Sequence, residues 1–187
     1  PTPEHDVTLP FTRMLAGPMD YEPGILDNAT KEQFRPIGKK VMSQGTRCHQ
    51  LAMFVVYESP IQIFSGNPSQ ALMEPAFMNL LGDIPTTWDE TKIVAAKVSD
   101  YIITARKKGD DWYIGGMTDW TAREMNLSMD FLDAGFYDAT LCTDGVNADN
   151  YPSDYIIKQF SIQGKTMLNI KMAPGGGFVL KLSKKKN

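Results

Sequence analysis

The spacing of apolar residues changes character near residue 88, and that change restricts the chain to folds built from two unlike parts. Before it, Thr8 to Met19 is a mostly apolar run closed by Asp20-Tyr21-Glu22-Pro23-Gly24. The run reads as a buried strand opening into a loop dense in turn formers. Thr46 can cap a helix from Arg47 to about Tyr57, with Leu51, Val55 and Ala52, Val56 as i, i+4 pairs on one apolar face. Glu58-Ser59-Pro60 ends it. Ile61 to Phe64 reads as a second short strand, Ser65-Gly66-Asn67-Pro68 as its loop, and Ala71 to Leu81 as a second helix. Apolar strands alternating with helices and emptying into Gly/Pro/Asn loops are the signature of parallel β/α units. Two such units have no neighbours for their sheet edges. Residues 1–88 are therefore expected to be the last two β/α units of a (β/α)8 barrel, with its stability supplied in part from elsewhere.

From residue 89 to 187 the spacing falls to two. Tyr101 to Lys107 and Trp112 to Trp120 flank the hairpin signal Lys108-Gly109-Asp110-Asp111, and Leu127, Met129 and Phe131 alternate with Ser128 and Asp130. Tyr155 to Ile162, Met167 to Met172 and Phe178 to Leu182 follow, with turns at Gly164-Lys165 and Pro174-Gly175-Gly176-Gly177. Regular short strands with polar turns predict an antiparallel β-sandwich. The whole is thus a mixed α/β chain in two parts, 1–88 and 89–187.

Composition removes several function classes. Over 187 residues the net charge is −3, so no surplus of basic residues exists to neutralise phosphates, and the run Lys184-Lys185-Lys186 reads as a solvated tail. Nucleic acid is not an expected partner. No stretch of 18 apolar residues occurs, so no membrane span is expected. Cys48 and Cys142 are far apart in sequence and read as core thiols, and with two histidines in the chain a zinc site has little to build on.

Few residues sit where chemistry is expected. Functional groups of a β/α barrel lie just after its strands, which selects Asp20, Tyr21 and Glu22 after the first, and Ser65, Gly66 and Asn67 after the second. Asp20 and Tyr21 are the candidate substrate contacts. Glu58, at the opposite end of a unit, reads as a structural hydrogen-bonding group, and Asp89 and Glu90 as a boundary contact or solvated turn. Asp144 to Asn150 has the composition of a calcium loop, but Val146 stands at its third position and Tyr155 at its twelfth, so it reads as a polar connection. Trp112, Tyr113 and Trp120 could form a sugar-stacking platform, although aromatics in an alternating strand more often pack the core. His5 and His49 have no partner that spacing supplies.

Several strings resemble family 97 glycoside hydrolases: the run His5-Asp6-Val7-Thr8-Leu9-Pro10-Phe11-Thr12-Arg13-Met14 continuing to Tyr21, and Gln50-Leu51-Ala52-Met53-Phe54-Val55-Val56-Tyr57. Pro85-Thr86-Thr87-Trp88-Asp89-Glu90-Thr91, Ala105-Arg106-Lys107 and Trp112-Tyr113-Ile114-Gly115-Gly116-Met117-Thr118-Asp119-Trp120 follow in order. The resemblance implies an enzyme with an N-terminal β-sandwich, a central barrel and a C-terminal β-sandwich that hydrolyses α-glucosidic or α-galactosidic bonds with calcium as cofactor. It implies that this chain is the C-terminal portion, consistent with its opening on Pro1-Thr2-Pro3-Glu4 without an initiator methionine. The family's catalytic and calcium-binding motifs precede the Pro10-Phe11-Thr12-Arg13 string and none occurs here. No catalytic or metal residue is carried over, this chain alone is expected to be inactive and to hold no calcium, and its partners are the remainder of the same enzyme and an oligosaccharide. A periplasmic or extracellular location is likewise implied. The other reading is a non-catalytic sugar-binding or assembly module.

Overall fold

A computed structural model describes residues 1–24, 26–38 and 41–185. The chain opens with helix α1 (Pro3–Thr8), capped by the Thr2 hydroxyl, which accepts from the His5 amide at 3.4 Å. Two 3₁₀ turns follow, Leu9–Phe11 and Arg13–Ala16. The strand expected over Thr8 to Met19 is not there. Pro3 and Pro10 each start a helical turn, and an apolar run without alternation carries no signal against one. After a two-residue parallel pair, β1 (Asn28–Ala29) with β2 (Ser43–Gln44), comes α2 (Arg47–Val56). It begins at Thr46, whose hydroxyl accepts from the His49 amide at 3.1 Å.

The second expected strand, Ile61 to Phe64, contributes a single bridge, Tyr21 with Gln62, in parallel orientation. Around that bridge the Met19 amide donates to the Glu58 carbonyl at 3.0 Å and the Ser65 amide to the Pro23 carbonyl at 3.1 Å. Residues 19–23 and 58–65 therefore run side by side without becoming regular strands. The helix expected over Ala71 to Leu81 is divided into α3 (Pro68–Leu72) and α4 (Pro75–Gly82). Pro75 is the cause: it disfavours helical backbone at Glu74, which sits at φ −125° and ψ 53°.

The remainder is antiparallel. Strands β3 (Glu90–Lys97), β4 (Tyr101–Lys108), β5 (Asp111–Thr118), β6 (Arg123–Ser128), β7 (Phe136–Asp144), β8 (Tyr155–Gln163), β9 (Met167–Met172) and β10 (Gly177–Lys184) form two sheets. The larger has the order β3-β4-β5-β10-β7-β8; the smaller pairs β6 with β9. A register shift between Ile93 and Ala95 puts a bulge in edge strand β3. One face of the large sheet, bearing Ile103, Ile114, Leu180 and Tyr137, packs against Leu127, Ile170 and Met172 of the small one. The two sheets make an unequal sandwich, as the spacing of two predicted. The other face, bearing Ile102, Tyr113, Met117, Cys142 and Val179, packs against Leu51, Ala52 and Val55 of α2 and against Val7 of α1. The terminal lysines are tied to the sheet: Lys184 lies 3.5 Å from Asp133 and Lys185 2.9 Å from Asp138, while Lys186 lies outside the described residues.

Candidate functional site

Helix α2 lies close on the sheet because two glycines on β5 and β10 leave room for its backbone. A Cβ at Gly115 would come within 2.8 Å of the Val55 Cβ, and one at Gly177 within 2.8 Å of the His49 Cα. Polar side chains gather around this contact. His49 is fully buried; its Nδ1 is 3.1 Å from the Gly176 carbonyl and its Nε2 3.5 Å from Asp6 Oδ2. The Tyr21 hydroxyl donates to Asp6 Oδ1 at 3.0 Å, and the Tyr57 hydroxyl donates to the Asp6 carbonyl at 2.8 Å. The two tyrosine rings meet edge to face at 4.8 Å. Burial first, and then the Asp6 charge, push both phenols well above their ordinary range. Neither is an acid at neutral pH.

Asp144 ends β7. Its Oδ2 accepts from the Ala173 and Gly177 amides at 2.9 and 3.0 Å, which holds the 173–177 turn against the sheet, while its Oδ1 is buried without a partner. Burial raises its carboxyl to about 6 against these amide donors and the Thr46 side chain, which pull the other way. Two further anchors bind the helical layer. The Arg47 guanidinium donates to Glu74 at 2.6 Å and to the Leu26 carbonyl at 2.9 Å, and the Tyr155 hydroxyl donates to Glu74 at 2.6 Å. Burial alone would raise Glu74, but those two donors outweigh it and hold the carboxyl below its ordinary value. Arg106 donates from β4 to the Val56 carbonyl at 2.9 Å, closing the C-terminus of α2.

Asp20 and Tyr21 are adjacent, and their side chains have different surroundings. Asp20 is exposed, whereas Tyr21 turns its hydroxyl inward to Asp6. Glu58 is exposed and serves the structure through its carbonyl; Asp89 caps the β4–β5 hairpin, accepting from the Gly109 amide at 2.8 Å and lying 3.2 Å from Lys108. Trp112 and Tyr113 are buried. A groove of ≈ 630 Å³ between β7, β8 and β9 is floored by Leu141, Ile156 and Met172, and no aromatic side chain lines it. The Asp144 to Asn150 loop does not suit calcium. Asp144 Oδ2 is engaged by two amides and Asp154 Oδ2 by the Asn147 amide at 2.9 Å. Among the described residues no group of three or more His, Cys, Asp or Glu side chains is placed to hold a metal.

The buried partners of this cluster were missed by sequence reasoning. Asp6–Tyr21, His49–Gly176 and Asp144–Gly177 are pairings across distant segments, with no local spacing to reveal them. Arg106 did leave a signal. It alternates with Thr104 and Ile102 on the face that α2 covers, and a charge there requires a buried acceptor.

Known proteins are similar to this chain in sequence and fold. A family model described as glycosyl-hydrolase 97 C-terminal, oligomerisation, matches residues 87–183. The chain is 46% identical over 179 residues to a retaining alpha-galactosidase of Bacteroides thetaiotaomicron, covering 96% of this chain and 27% of that protein. It is 29% identical over 177 residues to a probable retaining alpha-galactosidase of Streptomyces bingchenggensis, covering 95% and 25%. A glycoside hydrolase family 97 enzyme from Pseudoalteromonas sp. strain K8, solved in complex with acarbose, superposes with a TM-score of 0.90 at 37% identity, over 99% of this chain and 29% of that one. The chain spans about a quarter of the length of the curated relatives it matches.

Proposed function

The chain belongs to glycoside hydrolase family 97, and from that premise we propose that it is the C-terminal portion of an enzyme that hydrolyses α-galactosidic or α-glucosidic bonds, with its catalytic carboxylates upstream. The observation that carries this reading is the half-made parallel pair. Residues 19–23 and 58–65 align in parallel through the Tyr21–Gln62 bridge, yet Ile61 and Ile63 remain 64% and 48% exposed. Parallel strands are stable when covered on both faces and paired on both edges. These two segments are the closing strands of a barrel whose other strands precede them, residues 1–88 are its last two units, and residues 89–187 are the domain that braces it.

In this reading Asp20, exposed on the first segment, faces the sugar and accepts hydrogen bonds from its hydroxyls. Tyr21, engaged by Asp6, holds that segment in place. Retaining hydrolysis takes two carboxylates about 5 Å apart, one as nucleophile and one as acid then base. Both come from the upstream barrel, as does the calcium site that the family resemblance implies. The name of the relative at 46% identity favours α-galactosides with retention. The description of the matching family model favours a second copy of the enzyme as a further partner.

The full polypeptide containing this chain should turn over 4-nitrophenyl α-galactoside, and the 187 residues alone should not, a loss of about 10⁴-fold or more. Steady turnover by the repurified chain alone overturns the assignment. Activity of the full polypeptide on the α-glucoside in preference to the α-galactoside overturns the substrate and leaves the architecture standing.

A further inference from the structure

The core between α2 and the sheet contains a pair of thiols that none of the preceding chemistry uses. Cys48, in the first turn of α2, and Cys142, on β7, are both fully buried, and their sulfur atoms lie 3.8 Å apart. That is van der Waals contact, with nothing between them. We propose that Cys48 and Cys142 are a disulfide site, oxidised to a covalent tie between α2 and the central sheet when the polypeptide folds in an oxidising compartment. This goes beyond the assigned hydrolysis and does not depend on it.

Both cysteines are held in position by their surroundings. The Cys48 carbonyl would lie 3.0 Å from a Cβ at Gly177, which fixes the height of α2 over β10. Cys142 sits mid-sheet, paired with Val179 on one side and Ile157 on the other. A disulfide has its sulfurs about 2.05 Å apart, so the two side chains need to approach by roughly 1.8 Å between them. Two cysteines 94 positions apart in sequence close a long loop, the kind of link that constrains an unfolded chain most.

Timing follows from burial. Enclosure pushes the Cys48 thiol well up, and Cys142 and Asp144 add to it, so Cys48 in the closed core holds its proton and is a poor nucleophile. Oxidation therefore belongs to the stage before α2 seats on the sheet. The oxidant is a disulfide, either of a thiol-oxidising protein or of a small molecule such as oxidised glutathione. One cysteine loses its proton and attacks that disulfide, expelling one of its sulfurs as thiolate and forming a mixed disulfide. The second cysteine loses its proton and attacks the mixed disulfide at the first cysteine's sulfur. The Cys48–Cys142 bond forms, the oxidant departs with two electrons, and the two protons complete its reduction to thiols.

The test is disulfide mapping of the full polypeptide, refolded from the reduced state in a glutathione redox buffer, alkylated and cut with trypsin. The expected product joins the peptide 48–92 to the peptide 124–158, lighter by two hydrogens than the pair. It should vanish on reduction and in Cys48→Ser and Cys142→Ser. Reduction should also lower Tm by about 5–15 °C. Mapping of the unmutated protein needs no variant to fold. Recovery of both peptides separately alkylated from protein folded in that buffer, or a link from either cysteine to a third, overturns the proposal.

Discussion

The antiparallel sheet and the helical layer on its face satisfy their backbones in different ways. In the sheet, β4, β5, β10 and β7 each have a partner on both sides, and their side chains pack above and below. In the layer, α2 is the longest element among the described residues, and besides a few backbone bonds the segments around it are held by side chains: Arg106 on the end of α2, Arg47 on Leu26, Asp6 under Tyr21 and Tyr57. The layer also leaves Leu15, Ile61, Leu72 and Met73 between 64% and 83% exposed. A region closed by ladder hydrogen bonds resists local opening. A region closed by side-chain clasps, with apolar residues facing outward, depends on what it touches.

The strongest challenge to this contrast is at the contact between the two regions. Gly115→Val places a branched side chain where the Val55 Cβ stands 2.8 Å from a modest Cβ, so α2 must lift. The substitution should cost about 3 kcal/mol and lower Tm by roughly 6–12 °C by calorimetry. An unchanged Tm would mean that the layer does not rest on the sheet through α2.

A second test uses pH. The Asp144 carboxyl is raised to about 6 in the folded chain, above its unfolded value near 3.9. Between those values the folded state keeps a proton that the unfolded state has released. The stability from this group is therefore full below about pH 4 and is lost as pH rises through 6, an effect of about 2–3 kcal/mol. Other carboxylates act in the opposite sense, so the readout is a difference: unfolding in urea from pH 4 to 7 for the unmutated chain minus that for Asp144→Asn should slope downward with pH. A flat difference removes Asp144 as a carboxyl whose charge is disfavoured by burial beneath the 173–177 turn.

The two regions should also part under protease. In the isolated chain, cuts within residues 10–17 and 61–66 should precede cuts in β4, β5 and β10 by about tenfold in rate, since local opening governs cleavage. In the full polypeptide that difference should shrink. The smallest effect is expected at Ile61→Thr, within about 0.5 kcal/mol in the isolated chain because the side chain is exposed. The same substitution in the full polypeptide should cost about 2 kcal/mol, if a barrel strand covers Ile61 there.

What could be read in advance cuts across this division. α2 was legible because the Thr46 cap and the Leu51, Val55 pair are local signals, and the β4–β5 hairpin because Gly109, at φ 57°, marks its turn. β3 was not, since Glu90, Lys92, Ile93 and Lys97 on an exposed, bulged edge have no alternation to show. β7 was missed because its inward residues include small ones, Ala139 and Cys142. The run from Thr8 to Met19 misled because apolar content was read as extended structure while Pro10 sits in the first turn of a 3₁₀ helix. The buried cluster stayed hidden because every bond in it joins segments that only the fold brings together.

The bulge in β3 has a consequence for how copies of this chain can meet. An open-ended fibre made through sheet edges needs two complementary rims, each molecule offering one to its predecessor and the other to its successor. The shift between Ile93 and Ala95 bends one rim out of register, with Lys92 and Lys97 along it. The opposite rim, β8, runs unbroken for nine residues. Within the large sheet, edge pairing is therefore favoured at β8, which can join its like about a twofold axis, and hindered at β3.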